Sequence, residues 1–252
     1  KIVTCFKNTL AGTATPAAEY NIAYKYLPYK NLEQIINKTQ NADAKIIFPW
    51  IIEKPFDLDC WINEIKNRCN KNQRTFTYAY WEQPDGFLHA EGSDSQNVHN
   101  TIAELNTKIE ELCANLTDTV VFITADHGHI DIQMDFFEEN YPDFTKMLVR
   151  PVSIEPRGIS FYVKDKFIPV FKERFLKLFG SDYLIFSKEE VFQNNLFGPG
   201  NPHPNLTGIG DFIAPAIGTK TMFWNKTSPI FKSHHAGLTS QEMKIPLIVV
   251  EK

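Results

Sequence analysis

The chain has 252 residues, 43% of them hydrophobic and 13% aromatic, enough to close a large core in one domain of mixed architecture. Its net charge is −4, with 26 basic and 30 acidic residues interspersed, so no basic stripe marks a nucleic-acid-binding surface. The longest apolar runs, such as Ile245 to Val250, fall far short of the roughly 20 residues that span a bilayer.

The four cysteines, Cys5, Cys60, Cys69 and Cys113, form no C-x-x-C pair and read as free thiols of a reducing, cytoplasmic compartment. The chain opens at Lys1 with neither a methionine nor a signal peptide, and an upstream segment is expected to precede it.

In chain order, strands and helices alternate, the pattern of an α/β fold with a largely parallel sheet and helices on both faces. Ala44 to Pro49 reads as a short strand. Asp57 caps a helix whose apolar positions Leu58, Trp61, Ile62 and Ile65 keep helical spacing. Arg74 to Trp81 is aromatic and β-branched, as a buried strand is. Asp94 or Ser95 caps a long helix with the core-facing stripe Val98, Ile102, Leu105, Ile109 and Leu112. Thr119 to Thr124 suits the centre of a parallel sheet. Gly158 to Val163 predicts a strand, and Ile168 to Leu178 a helix ended by Gly180. Ser187 with Glu190 makes a capping box, and the Gly-, Pro- and Asn-rich stretch from Asn195 to Gly210 a long loop. Ile245 to Val250 closes the chain as a strand. No repeat or low-complexity linker divides it.

Three segments gather metal-type ligands. Trp81-Glu-Gln-Pro-Asp85-Gly-Phe-Leu-His89 follows a predicted strand. Thr124-Ala-Asp126-His127-Gly128-His129 follows the central one, and Ser233-His234-His235-Ala-Gly237 precedes the last. Ligands of open α/β sheets bind beyond the carboxyl ends of the strands, which is where the first two segments lie. Aspartate and neutral histidine are the oxygen and nitrogen donors of zinc, and carboxylates also suit manganese or magnesium. Each motif alone has an ordinary reading: Asp85 as a turn residue before Gly86, Asp126-His127 as a strand end, His234-His235 as a surface pair. Together and in this order they point to a pair of metals roughly 3.5–4 Å apart, the arrangement that grips both oxygens of a phosphoryl transfer.

The three segments resemble those of the type I phosphodiesterase/nucleotide pyrophosphatase family of the alkaline phosphatase superfamily. E-Q-P-D-G-F-L-H-A-E-G-S-D-S from Glu82 to Ser95 is similar to the family's P-D-x-x-x-H-x-x-G-x-x-S. Val120 to Gly128 matches its strand and T-[AS]-D-H-G. His235 to Ile248 resembles H-G-G-L-x-x-x-E-M-x-x-P-L-I. The likeness, which includes Gly210-Asp211-Phe212, covers roughly residues 40 to 252. It implies an alkaline-phosphatase-like three-layer sandwich, formed by residues 1–252 as one catalytic domain that lacks an N-terminal segment. It also implies two divalent metals, zinc or else manganese, one held by Asp85, His89 and His235 and the other by Asp126 and His127. His235 is preferred to His234 because it stands directly before Ala-Gly-Leu. His129 is a candidate to orient these ligands from behind.

The family's second metal also takes an early aspartate followed by glycine, and no Asp-Gly strand precedes Asp85; Asp43 stands in the wrong context. Cys5-Phe-Lys-Asn-Thr9-Leu-Ala-Gly12-Thr-Ala-Thr15-Pro16 resembles a shortened nucleophile region, which makes Thr9 the candidate nucleophile. The activity implied is hydrolysis of a phosphodiester or nucleotide pyrophosphate bond in a small phosphate ester such as a nucleotide. The alternatives are a phosphomonoesterase, phosphonate hydrolase or phosphomutase of the same superfamily, for which Lys232 or Arg157 would reach a terminal phosphate, or a metal-binding domain without catalysis.

Overall fold

The computed structural model describes residues 19, 25, 29–49, 56–200 and 208–252. The chain forms two compact units, the first from residues 1–83, 103–121 and 249–252, the second from 84–102 and 122–248.

In the first unit, α1 (Leu32–Thr39) starts at Asn31, whose side chain accepts from the Gln34 N–H at 2.8 Å. Strand β1 (Asp43–Ile47) is followed by α2 (Leu58–Cys69), which Asp57 caps by accepting from Cys60 N–H, as its place in the sequence predicts. Strand β2 (Thr75–Ala79) lies parallel to β1, from Asp43 opposite Thr75 to Ile47 opposite Ala79. Helix α2 buries Trp61 against Trp81, with ring centroids 5.8 Å apart. Asp43 accepts from Arg68 at 2.6 Å and from Lys71 and Gln73 at 2.9 Å. The Arg68 and Lys71 bonds hold its carboxyl well below the usual carboxylate range. Its role is to tie β1 to the end of α2. Cys60, Cys69 and Cys113 are free thiols.

The next elements are α3 (Asp85–Glu91) in the second unit and α4 (Gln96–Ala114), which passes from the second unit into the first. Ser95 caps α4 by accepting from Val98 N–H at 3.2 Å. Within the expected core stripe Val98 and Leu112 are buried, but Ile102 is exposed, at the point where the chain leaves one unit for the other. Strand β3 (Val120–Thr124) also passes between units. The second unit continues with β4 (Ile130–Asp131), β5 (Gln133–Phe136), β6 (Ser153–Glu155) and β7 (Gly158–Phe161). Then come α5 (Ile168–Phe179), β8 (Phe186–Ser187), α6 (Lys188–Gln193) and β9 (Phe212–Pro215). Strands β10 (Lys220–Phe223) and β11 (Ser233–His234) and α7 (Ser240–Met243) complete it, and β12 (Leu247–Glu251) passes from the second unit into the first. Gly180 ends α5, and the Ser187–Glu190 capping box opens α6.

Strand β12 pairs with β3, and β5 runs parallel to β10. The all-apolar β3 was expected to be covered on both faces, yet Val120 and Phe122 are exposed, as are Leu247, Ile248 and Val249 of β12. Apolar composition specifies a doubly covered strand, and the described residues do not supply both covers. The second half also departs from a parallel sheet, since β6, β7, β9 and β8 form a four-stranded antiparallel one. Only Pro156 and Arg157 link β6 to β7; a two-residue connection closes a hairpin, whereas a parallel crossover takes a dozen residues or more.

Phenylalanine fills the core beneath that sheet. Helix α5 presents Phe171, Phe175 and Phe179 at steps of four, all fully buried. Phe161 of β7 meets them with centroids 5.3 Å from Phe171 and 5.4 Å from Phe175. Tyr183 is equally buried; its hydroxyl donates to Pro156 O and accepts from Met222 N–H, both at 3.0 Å.

The hairpin also carries Arg157, which is buried rather than available to a terminal phosphate. Its Nε and Nη2 donate to the two Glu242 carboxylate oxygens at 2.6 and 2.7 Å. Its remaining N–H groups go to Thr221 Oγ1 and to the Lys220 and Gly218 carbonyls, so all five donors are used. Burial alone would raise the Glu242 carboxyl, but Arg157, Thr239 and the Gly237 N–H hold it below its usual value. This contribution to stability is therefore present above the ordinary carboxylate pKa of about 4.3 and lost as pH falls through the lower folded value.

Two expectations follow. Phe161→Ala should cost about 3–5 kcal/mol in denaturant unfolding. Arg157→Met, which strands the Glu242 charge, should cost a similar ~3–5 kcal/mol, and Arg157→Met with Glu242→Gln distinctly less. Equal losses in the single and double variants would contradict the role given to the pair.

Candidate metal centre

Asp85 and His89 sit one turn apart on α3, so their side chains share a face. Asp85 Oδ1 lies 3.5 Å from His89 Nε2. Beyond β3 the chain turns sharply through Asp126, His127, Gly128 and His129 into β4. Gly128 is required there, because a Cβ would stand 1.9 Å from the Gln241 carbonyl oxygen, and its N–H donates to Glu242 O at 2.8 Å. Strand β4 pairs antiparallel with β11, Ile130 opposite His234, and this ladder sets His129 beside His235 with ring centroids 5.0 Å apart.

Strand β11 is also strapped to α3. Lys232 N–H donates to His89 O at 2.8 Å, and the Ser233 hydroxyl to Leu88 O at 2.7 Å. His89 Nδ1 meets Ser233 O at 3.0 Å, a bond in which the ring nitrogen must donate. At the far end of α3, Ser93 N–H donates to Asp131 Oδ1 at 2.8 Å. After His235, Ala236 takes φ 82°, a left-handed conformation that costs a non-glycine residue about 1–2 kcal/mol. Gly237 N–H to Glu242 Oε1 and Leu238 N–H to Ala216 O, both at 2.7 Å, hold that turn.

Four groups converge as a result. Around Asp85 Oδ1 stand His129 Nε2 at 2.8 Å, His89 Nε2 at 3.5 Å and His235 Nε2 at 3.9 Å. Ligand atoms of Asp85, His127, His129 and His235 all lie within 4.8 Å of one another. His127 stacks on His235, centroids 3.7 Å apart, with its own Nδ1 on Gly128 O at 3.1 Å. Burial would raise the Asp85 carboxyl, but the His129 hydrogen bond and the neighbouring imidazoles keep it below its usual value. Burial pushes His89 down, against the pull of Asp85. It pushes His235 down to about 3, helped by repulsion from His127, His129 and His234. A carboxylate beside several imidazoles, two of them (His89 and His127) with Nδ1 on carbonyls, is a donor set that fits a divalent cation such as zinc.

The expected residues are not all gathered. Asp85, His127 and His235 come together, joined by His129, which the sequence suggested only as a support; His89 lies beside Asp85 but outside that four-residue group. Asp126 stays outside the four-residue group; its Oδ1 accepts from His127 N–H at 3.1 Å and lies 3.6 Å from His127 Nε2. His234 is buried behind, its Nδ1 accepting from His235 N–H at 3.0 Å, and burial lowers its pKa to about 4. Lys232 is exposed. Thr9 lies outside the described residues. Sequence reasoning gave no role to Ser233 or Glu242; Glu242 was visible as the glutamate of the E-M pattern, whereas nothing in one sequence singles out the serine before a His-His pair.

Comparison with known proteins agrees with this architecture. Residues 6–166, more than half of the chain, match the model of the family described as type I phosphodiesterase/nucleotide pyrophosphatase. No curated protein sequence matches. Among solved structures, murine ectonucleotide pyrophosphatase/phosphodiesterase 5 is similar at 15% identity and a TM-score of 0.56, over 76% of this chain and 51% of that one. The human counterpart gives 15% and 0.57, over 75% and 51%. An inactive variant of the murine protein in complex with AMP gives 16% and 0.59, over 84% and 60%. The chain thus spans about half to three-fifths of the length of these structures, and shares their alkaline-phosphatase-like α/β fold. With its motifs, its fold and the family model in agreement, the chain belongs to the type I phosphodiesterase/nucleotide pyrophosphatase family.

Proposed function

We propose that this chain carries the catalytic site of a metal-dependent hydrolase of phosphodiester or nucleotide pyrophosphate bonds. The observation that carries this reading is the convergence of Asp85, His127, His129 and His235 within 4.8 Å in a member of this family. The AMP complex of the murine relative supports a nucleotide as the substrate class.

Asp85, His89 and His235 would hold one divalent cation and Asp126 with His127 the other, with zinc preferred over manganese by the imidazole donors. When bound, such cations offset the negative charge of the phosphate oxygens and lower the pKa of a nearby hydroxyl. The protein's share is positional. Helix α3 fixes Asp85 and His89, the β4–β11 ladder fixes His235, and the Glu242 contacts fix the turns that carry His127 and His235. Thr9 is this chain's candidate to attack phosphorus. Its hydroxyl loses its proton to water as its oxygen forms the new P–O bond, the alcohol or phosphate leaving group departs and takes a proton from water, and water then hydrolyses the phosphothreonine ester.

Asp126→Asn and Thr9→Ala should each lower turnover of a nitrophenyl phosphodiester by at least about 100-fold. Thr9→Ala should keep its metal, whereas Asp126→Asn should lose part of it by elemental analysis. Undiminished turnover in Asp126→Asn would sink the assignment.

Neutral imidazole is the form that ligates, and burial keeps His89 and His235 neutral below the ordinary histidine range. Zinc should therefore stay bound as pH falls through about 6.5 and be released only at lower pH. Release centred at or above that value, followed with a chromogenic chelator, would contradict the burial of these ligands.

A further inference from the structure

We propose that His129 is a direct, fourth protein ligand of the cation held by Asp85, His89 and His235. The proposal rests on the metal-centre reading above and adds a donor to it.

Ser233 sets the orientation of His129. Its hydroxyl proton is committed to Leu88 O at 2.7 Å, so toward His129 Nδ1, 3.0 Å away, its oxygen can only accept. His129 therefore donates from Nδ1, which turns its Nε2 toward Asp85 Oδ1 at 2.8 Å, with the His129 side chain only 4% exposed. Between a ring nitrogen and a carboxylate oxygen this close sits a proton or a cation, and the gathering of Asp85, His127, His129 and His235 ligand atoms within 4.8 Å favours a cation. A second imidazole is set in the same way: His89 Nδ1 donates to Ser233 O, and its Nε2 stands 3.5 Å from the same carboxylate oxygen. One residue, Ser233, thus fixes both rings, with its hydroxyl oxygen on one and its carbonyl on the other. His129 is closer to Asp85 than either His89 or His235, and its ligand atom lies within 4.8 Å of those of Asp85 and His235.

Asp85, His89, His129 and His235 then make one carboxylate and three imidazoles, the four donors with which zinc sites close. The first cation would be anchored by protein alone, and exchange at phosphorus would fall more heavily on the donors of Asp126 and His127.

The rival role for His129 is a hydrogen bond that merely orients Asp85. Glutamine can supply that bond through its amide N–H but is a poor ligand, so His129→Gln separates the two. The probe is Co(II), added as one equivalent to the full chain. Wild type should show the intense visible absorption of four-coordinate cobalt. His129→Gln should lose most of that intensity and bind at least 100-fold more weakly, beyond the 10–100-fold typical of losing an orienting partner. A variant with the wild-type spectrum and an affinity within tenfold would overturn the proposal. Should His129→Gln fail to fold by circular dichroism, X-ray absorption of wild type with one equivalent of zinc decides: three imidazoles support the ligand role and two overturn it. If wild type binds neither metal, or Asp85→Asn binds cobalt as wild type does, the metal-centre reading itself fails rather than this refinement.

Discussion

A carboxylate withdrawn from water has to be surrounded by donors, and the second unit is organised around meeting that demand at Glu242. Its oxygens take two bonds from Arg157, one from the Gly237 N–H and one from the Thr239 hydroxyl, while its own carbonyl receives the Gly128 N–H. Those partners come from the β6–β7 hairpin, the turn after His235 and the turn after His127. A buried pair of this kind is weak evidence of net stabilisation, because desolvation offsets much of the attraction. Its effect is geometric: moving any one of the three segments would leave a charge or a polar group buried without a partner. Two of the three carry the candidate ligands.

The ligand cluster is assembled by backbone as much as by side chains. A two-residue ladder between β4 and β11 sets His129 beside His235, and three bonds from Lys232 and Ser233 to the last turn of α3 set both against His89 and Asp85. The imidazoles owe their orientation to carbonyls and to one hydroxyl, which is how proteins fix which ring nitrogen stays available. The strained turn at Ala236 belongs to the same design. An L-residue stands at φ 82° because the bonds on either side of it over-determine the path.

Much of this was legible in the sequence, where local chemistry decides. Asp57, Ser95 and the Ser187–Glu190 box cap helices where they were expected to, since a cap depends on residues within one turn. The three Asp- and His-bearing motifs stand out for the same reason. What a single sequence could not supply was anything set by long-range pairing. The antiparallel sheet of β6 to β9 depends on how a two-residue link closes, and Arg157 looks like a surface charge until Glu242 is placed against it, 85 residues away. Ile102 keeps the helical stripe of α4 and is nonetheless exposed, because periodicity reports a face and not what covers it. The contacts of His129 are not legible locally, because its partners, Asp85 and Ser233, lie 44 and 104 residues away.

Those separations bear on when the centre can exist during folding. The bond from His89 to the Ser233 carbonyl closes a loop of 144 residues, and the His129–Ser233 bond one of 104. Loop-closure entropy grows slowly with length, so the thermodynamic cost is modest, but contacts of such high sequence separation form late. Helix α3 and the hairpin β6–β7 can form from local contacts, whereas the imidazole cluster waits until β11 reaches β4 and α3. A nascent or partly folded chain therefore offers only scattered histidines and aspartates. The convergence of their ligand atoms within 4.8 Å belongs to the finished unit alone.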